Sequence, residues 1–263
     1  MNATDPAPSE SDRPAVAPPV SVVVPVYNDA DSLTELVDRI IAVFAQREPG
    51  PIEVILVDDA SPDGSWAVIR ELAATKVGVR GLSLRSNVGP ILAVAAGSHH
   101  ATSEVIACID ADLEIQPEVL PQVVLGIHQG ADLVSGVRTQ RVGLPPVRRL
   151  GTRVVRLLGA LRWSDHPRDF GCGTKAWRAE LARTATRGFA TGRGLRWAVA
   201  LYDLATDYRE VEVGEQHHGT LNRHSSALSL VKGASLAWAM RHPRWRSHRA
   251  PSRPPVFSVR ESC

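Results

Sequence analysis

Long apolar runs are missing from this 263-residue chain. No stretch approaches the roughly 18 to 20 uninterrupted apolar residues that a membrane-crossing helix requires. Cysteine is scarce. Cys108, Cys172 and Cys263 are odd in number and far apart, which excludes a disulfide framework and a cysteine-held zinc site and points to a reducing cytosol. An excess of one charge is also absent. Thirty Lys and Arg against 28 Asp and Glu leave a formal net charge of +2, so global charge gives no case for nucleic acid. The opening residues 1–19 have neither an apolar core nor a basic start and do not read as a signal peptide. No internal repeat is visible.

What is present is enough for one large α/β domain: 44% of the residues are apolar. Residues 1–19 are rich in Pro, Ala, Ser and Asp and cannot bury enough surface to offset ordering, so they read as a disordered tail. Residues 242–263, basic and Pro-rich, read as a second tail. Between them, from 20 to 241, strand and helix patterns alternate. Val20–Val26 is a β-branched run of the kind buried on both faces of a sheet. Strands are also expected at Glu53–Val57, Val79–Leu84, Val105–Ile109, Asp132–Ser135 and Tyr208–Val213. Helices are expected at Asp31–Gln46, Ser61–Ala74, Gly89–Ala101 and Pro117–Gln129. This rhythm predicts a mostly parallel central sheet with helices on both faces, and ligands in such sheets bind beyond the carboxyl ends of the strands.

The chemistry-bearing residues fall at those ends. Pro25-Val26-Tyr27-Asn28-Asp29 follows the first strand and can offer polar groups to a nucleotide. Asp58-Asp59 ends the second, with Asp59 the better candidate for a ligand contact and Ser61 or Asp63 available as a helix cap. Asp110-Ala111-Asp112 ends another buried strand. Alternate carboxylates on an extended segment share one side, and their repulsion calls for a cation. Mg²⁺ or Mn²⁺ takes oxygen ligands from one or two such groups plus substrate phosphates. In Asp169-Phe170-Gly171-Cys172-Gly173-Thr174-Lys175-Ala176-Trp177-Arg178, two glycines permit close backbone approach, and Lys175 and Arg178 add charge. In the later segment from His217 to Ser225, adjacent histidines beside Arg223 are candidate ligands for metal or phosphate, with His218 the metal candidate. Arginines gather after residue 138, while the motif carboxylates lie mostly before it, a distribution that suits an anionic substrate beside an acidic metal site.

Taken in order, VVVPVYND, VDDASPDGS, LRSNVGPILAVAAGSHHA, IDADLEIQPEVLP, GADLVSGVRTQR and DFGCGTKAWR resemble the family 2 glycosyltransferases, in particular their dolichol-phosphate mannose synthase-like branch, from Ser21 to about Leu230. The resemblance implies a GT-A fold and a nucleoside-diphosphate sugar donor (a GDP- or UDP-hexose). It also implies a divalent metal, Mg²⁺ or Mn²⁺, and an inverting displacement. On this basis residues 20–136 form the nucleotide-sugar-binding half and 137–241 the acceptor half. Pro25, Tyr27, Asp29 and Asp59 line the nucleotide pocket, Asp110 and Asp112 flank metal and diphosphate, and Arg138 and Arg223 lie near phosphates. Asp169 lies near the sugar, as the candidate base for a hydroxyl acceptor. Ala60 stands where the family commonly has Gly, and Pro90 follows Gly89 where a small or polar residue is typical. The leading expectation is hexose transfer to a polyprenyl phosphate at the cytosolic membrane face. Transfer to a soluble hydroxyl, or an inactive nucleotide-sugar-binding protein, are the alternatives.

Overall fold

A computed structural model of the chain describes residues 20–45, 52–139, 157, 159–163, 167–187, 194–214 and 259–262. The core is one eight-stranded sheet. Its strands are β1 (Val20–Val26), β2 (Ile52–Asp58), β3 (Val79–Leu84), β4 (Val105–Cys108), β5 (Leu133–Arg138), β6 (Lys175–Arg178), β7 (Tyr208–Val213) and β8 (Val259–Ser262). Their spatial order is β7-β5-β6-β4-β1-β2-β3-β8. All neighbours are parallel except β6, antiparallel to both β4 and β5, and β8, antiparallel to β3 at the edge. The chain builds outward from β1 through β2 and β3, then returns to place β4 on the other side of β1. The crevice between β1 and β4 is therefore the point where strand order reverses.

The helices are α1 (Leu33–Ala45), α2 (Ser65–Thr75), α3 (Pro90–His100), α4 (Leu120–His128), α5 (Ala179–Arg187) and α6 (Gly194–Leu204). The run at β1 sends Val22, Val24 and Val26 into one apolar layer with α1, α2 and α4, and Val23 into the other with α3, α5 and α6. Both faces are thus covered, which is why this strand carries no polar alternation.

The sequence places β1, β3 and β7 at their observed limits. The strand expected at Asp132–Ser135 runs instead from Leu133 to Arg138. Strand β6 and helices α5 and α6 were not anticipated, and β8 lies within the segment read as a C-terminal tail.

Helix α3 comes close to the sheet because its buried residues are all small: Ala93, Ala95, Ala96, Gly97 and Ser98. A Cβ on Gly97 would overlap a Val23 methyl and lie 3.0 Å from Val57 Cγ2. Overpacking a filled core typically costs about 1–3 kcal/mol. Gly97→Val is therefore expected to lower the unfolding free energy by about 2 kcal/mol or more, read as a reduced urea midpoint. An unchanged midpoint would show that α3 can move off the sheet without cost.

Candidate active site

Five loops meet at the carboxyl edge of the sheet. The first, after β1, is held by the second. The backbone N–H of Tyr27 donates to Asp29 Oδ2, that of Asn28 to Ser61 Oγ, that of Asp29 to Ser65 Oγ, and that of Ala30 to Asp63 Oδ2, all at 3.2–3.3 Å. The four backbone donors from Tyr27 to Ala30 are thus each satisfied by a side chain, and Asn28 is fixed at φ +66°. Tyr27 stays 40% exposed over the edge. Ser32, just before α1, donates its hydroxyl to Ala111 O at 2.7 Å, tying the first loop to the carboxylate loop across the β1/β4 crevice.

The Asp58-Asp59 pair is turned inward, at 3% and 2% exposure. Asp58 accepts from the Ser61 backbone and the Ser83 hydroxyl. Asp59 accepts from the backbone N–H of Val88 at 2.7 Å and of Gly89 at 2.8 Å. Burial pushes the Asp59 carboxyl above its ordinary value; these two bonds oppose the shift, and Asp58 adds to it. Asp59 thus anchors the turn that opens α3. There Gly89 takes φ +88° and Pro90 occupies the first helical turn, where its missing N–H leaves no gap. Ala60 takes φ +57°, the left-handed conformation that a glycine adopts without strain.

Asp110 and Asp112 follow β4. Both are open to solvent, and Asp112 Oδ1 accepts from the Glu114 backbone at 3.0 Å. Leu113, between these last two, is also left-handed at φ +57°. Asp110 lies at the floor of the crevice, open on one side and enclosed by protein on the others. That enclosure and the nearby Asp112 charge push its pKa up to about 6, against the pull of Lys175 and Arg138. Its enclosed side is formed by Gly173, where a Cβ would overlap the carboxylate. Gly173 is pinned in turn, because its carbonyl accepts from the Cys108 thiol at 2.8 Å.

Strand β6 brings this last loop to the edge. Because β6 runs antiparallel, Lys175 pairs with Cys108 beside the site, while Arg178 pairs with Val105 at the opposite edge. The two charges that the sequence groups together are therefore separated: Arg178 bonds Ile127 O and lies 3.6 Å from Asp132. Lys175 Nζ donates to the carbonyls of Phe170 and Cys172, holding the loop from within. Burial works against its charge, but the surrounding Tyr202, Cys172, Cys108 and Asp169 groups outweigh it and the net shift is upward. Arg138, at the end of β5, donates through Nε to Asp169 Oδ2 at 2.8 Å and through Nη2 to Asp169 Oδ1 at 3.2 Å.

The Asp110–Asp112 pair suits a hard divalent cation. Two carboxylates lie on one loop, the basicity of one is raised by the other, and the backbone leaves the carboxylate room where a side chain would displace it. Among the described residues no cluster of three or more His, Cys, Asp or Glu is arranged to hold a metal alone. Water or the oxygens of a bound ligand would complete the shell. His218 and Arg223 lie outside the described residues.

The family model of glycosyl transferase family 2 matches residues 21–190, and this span contains all five loops. The chain belongs to glycosyl transferase family 2. Among curated relatives, an undecaprenyl-phosphate 4-deoxy-4-formamido-L-arabinose transferase from Edwardsiella ictaluri is 36% identical over 219 residues, covering 81% of this chain and 66% of that protein. The chain spans only about half (49%) of the length of a second relative with that description, from Aeromonas hydrophila. These family 2 relatives carry a different name from the dolichol-phosphate mannose synthase branch that the motifs resemble. The GT-A expectation is met by solved structures. Glucosyl-3-phosphoglycerate synthase from Mycobacterium tuberculosis, in complex with phosphoglyceric acid, superposes with a TM-score of 0.65 at 20% identity over 92% of this chain and 89% of that one. The same enzyme with Mn²⁺, UDP-glucose and phosphoglyceric acid superposes with a TM-score of 0.63 at 21% identity over 91% and 86%.

Two residues of this family 2 site escaped the sequence reading. Gly173 was read as leaving room for a ligand, whereas its close neighbour is the Asp110 carboxylate. Lys175 was recognised only as charge near a loop, and only the antiparallel course of β6 turns it into the site.

Proposed function

We propose that this chain transfers a sugar from a nucleoside-diphosphate sugar to a polyprenyl phosphate at a membrane surface. The observation that carries the reading is the juxtaposition of Asp110 and Asp112, at the reversal point of the sheet, with Arg138 of β5 and Lys175 of β6 along the same edge. Paired carboxylates there suit a divalent cation on a diphosphate, and the part-exposed Arg138 guanidinium suits a phosphate, while Lys175 braces the loop between them. The relatives' name supports a polyprenyl phosphate acceptor, and the Mn²⁺- and UDP-glucose-bound neighbour supports the donor class. The relatives' sugar is a formamido-arabinose, so a hexose is one candidate among sugars. No helix among the described residues is long and apolar enough to cross a membrane.

In the reaction, the bond between the anomeric carbon and the diphosphate oxygen breaks, and its electron pair leaves with the nucleoside diphosphate. An acceptor phosphate oxygen forms the new bond from the opposite face. A phosphate monoester has its second pKa near 6, so it arrives already carrying its attacking charge and needs no base. Bound Mg²⁺ or Mn²⁺ would supply electrostatic stabilisation of the leaving diphosphate. Asp110 and Asp112 would provide the oxygens that hold it, Gly173 keeps Asp110 aimed, and the first loop, braced by Ser61, Asp63 and Ser65, would offer Tyr27 and Asp29 to the nucleotide. Lys175 keeps the loop of Asp169 fixed against β4.

The test is a transfer assay with UDP- and GDP-sugars, with Mn²⁺, Mg²⁺ or excess chelator, and with undecaprenyl phosphate or soluble acceptors including phosphoglyceric acid. Metal-dependent product on undecaprenyl phosphate is expected. Transfer confined to soluble acceptors would replace the lipid reading, full activity in chelator would remove the metal, and donor binding without transfer to any acceptor would make the chain a binding protein.

A further inference from the structure

We propose that Asp169 is a positioning residue, which holds the Arg138 guanidinium in place to receive an anionic group of the reactants, and that it does not serve as a base. A base must direct a lone pair at the proton it removes. Both oxygens of Asp169 instead accept from one guanidinium, Oδ2 from Nε at 2.8 Å and Oδ1 from Nη2 at 3.2 Å, in the planar fork that only arginine forms with a carboxylate. Asp169 is 5% exposed, while the Arg138 side chain keeps 19% of its surface open, so of the two it is the cation that faces outward.

The surroundings fit a clamp. Arg138 ends β5, and its backbone is held in register opposite Val213 of β7. Its side chain is long, and an unheld arginine carries about 2 kcal/mol of rotamer entropy. Asp169 is part of a loop fixed from three directions. The Asp169 carbonyl accepts from Cys172 N at 3.2 Å, Lys175 grips the carbonyls of Phe170 and Cys172, and Gly173 is bonded through its carbonyl to Cys108. A rigid carboxylate therefore meets a flexible cation, the arrangement in which the first orients the second. One loop carries both contacts: a Cβ on Gly171 would lie 3.5 Å from Arg138 Nη2, and one on Gly173, two residues on, would overlap the Asp110 carboxylate, so the oriented guanidinium borders the paired carboxylates.

The identity of the anion rests on the proposed function; the clamp does not. The sign of one effect separates positioning from charge. Removing a carboxylate from an anion site should, by electrostatics alone, strengthen anion binding. If Asp169 orients Arg138, Asp169→Asn should weaken it.

The experiment is isothermal titration of the full chain with inorganic pyrophosphate plus Mn²⁺, and separately with inorganic phosphate. It is run on wild type, Asp169→Asn, Arg138→Gln and the double variant. Affinity for one or both probes is expected to fall about 10-fold or more in Asp169→Asn, the scale on which outer-shell partners act. The double variant is expected to bind no more weakly than Arg138→Gln alone, because without the guanidinium only the repulsion of the carboxylate is removed. Where transfer is measurable, the Asp169→Asn loss should appear in the KM for an anionic substrate more than in kcat. Affinities in Asp169→Asn equal to or above wild type for both probes would overturn the proposal. So would binding of neither probe by the wild type, or a loss confined to kcat with affinities intact, which is the signature of a base. If Asp169→Asn does not fold, the neutral pair Arg138→Gln/Asp169→Asn leaves no lone charge in the site and is compared with Arg138→Gln; a further fall in affinity overturns the clamp. Absence of glycosyl transfer in the wild type would refute the proposed function and leave this binding cycle readable.

Discussion

Asp110→Asn is expected to lower sugar transfer by about 10²–10³-fold, the scale on which losing one preorganised electrostatic group acts, while making the metal-free protein more resistant to heat. The two effects share one cause. Enclosure at the crevice floor and the Asp112 charge raise the Asp110 pKa from 3.8 to about 6. A carboxyl whose pKa is higher folded than unfolded contributes stability that is present below about pH 4 and lost as pH rises through 6. At neutral pH the folded protein bears that penalty, and the amide does not. Solvent reaches the open side and screens part of it, so the gain is on the order of 1 kcal/mol, or about 2–4 °C. The advantage of the variant should shrink between pH 7.5 and pH 4.5. Mn²⁺ should raise the melting temperature of the wild type and leave the variant unmoved, and wild-type Mn²⁺ affinity should fall below pH 6 as protons compete. Thermal unfolding at the two pH values, with and without Mn²⁺, checks all of this. A variant that melts below the wild type at pH 7.5 would mean that Asp110 is stabilised, not strained, by its surroundings.

Gly173→Ala should be nearly as damaging to function and almost silent in stability. The added methyl would overlap the Asp110 carboxylate. What yields is the end of a short side chain with an open solvent side, not the backbone, because the Gly173 carbonyl is bonded to the Cys108 thiol. A turned carboxylate is expected to lose about 10- to 100-fold in metal affinity, as when the partners of a ligand are disturbed, with activity falling in step. Gly64→Ala is the matched control, since a Cβ there meets nothing within 4 Å. Calorimetric Mn²⁺ titration of both variants decides: equal affinities for wild type and Gly173→Ala would show that Asp110 tolerates the methyl.

The parts legible in the sequence are those whose burial is written in local pattern. Val20–Val26 is recognisable because a strand covered on both faces needs β-branched or apolar residues along its length, and Val79–Leu84 because apolar residues flank the half-buried Arg80 and Ser83 in a short run. Asp110 and Asp112 were found for the same reason: acidic residues directly after such a run must lie at a sheet edge. Strand β6 has no such pattern. Its four residues, Lys175, Ala176, Trp177 and Arg178, begin and end in charge and follow two glycines, so they read as loop. Only pairing with β4 and β5, remote in sequence, makes them a strand. Asp59 illustrates a different limit. Its position at a strand end is plain, but that its oxygens accept from Val88 and Gly89 depends on how the third loop folds back. The Arg138–Asp169 pair was equally invisible as a pair, since each residue was assigned its own task.

The insertion of β6 between β4 and β5 also orders events during synthesis. Cys108 and Gly173, whose bond shapes the floor beneath Asp110, are 65 residues apart in the chain. Contacts of such separation form late, because loop-closure entropy must be overcome before they stabilise anything. A nascent chain emerging only as far as Arg138 would carry both carboxylates of the β4 loop without the wall that aims one of them. The complete floor beneath Asp110 would therefore appear only when the second half docks, and an unfinished polypeptide would present its two carboxylates unaimed.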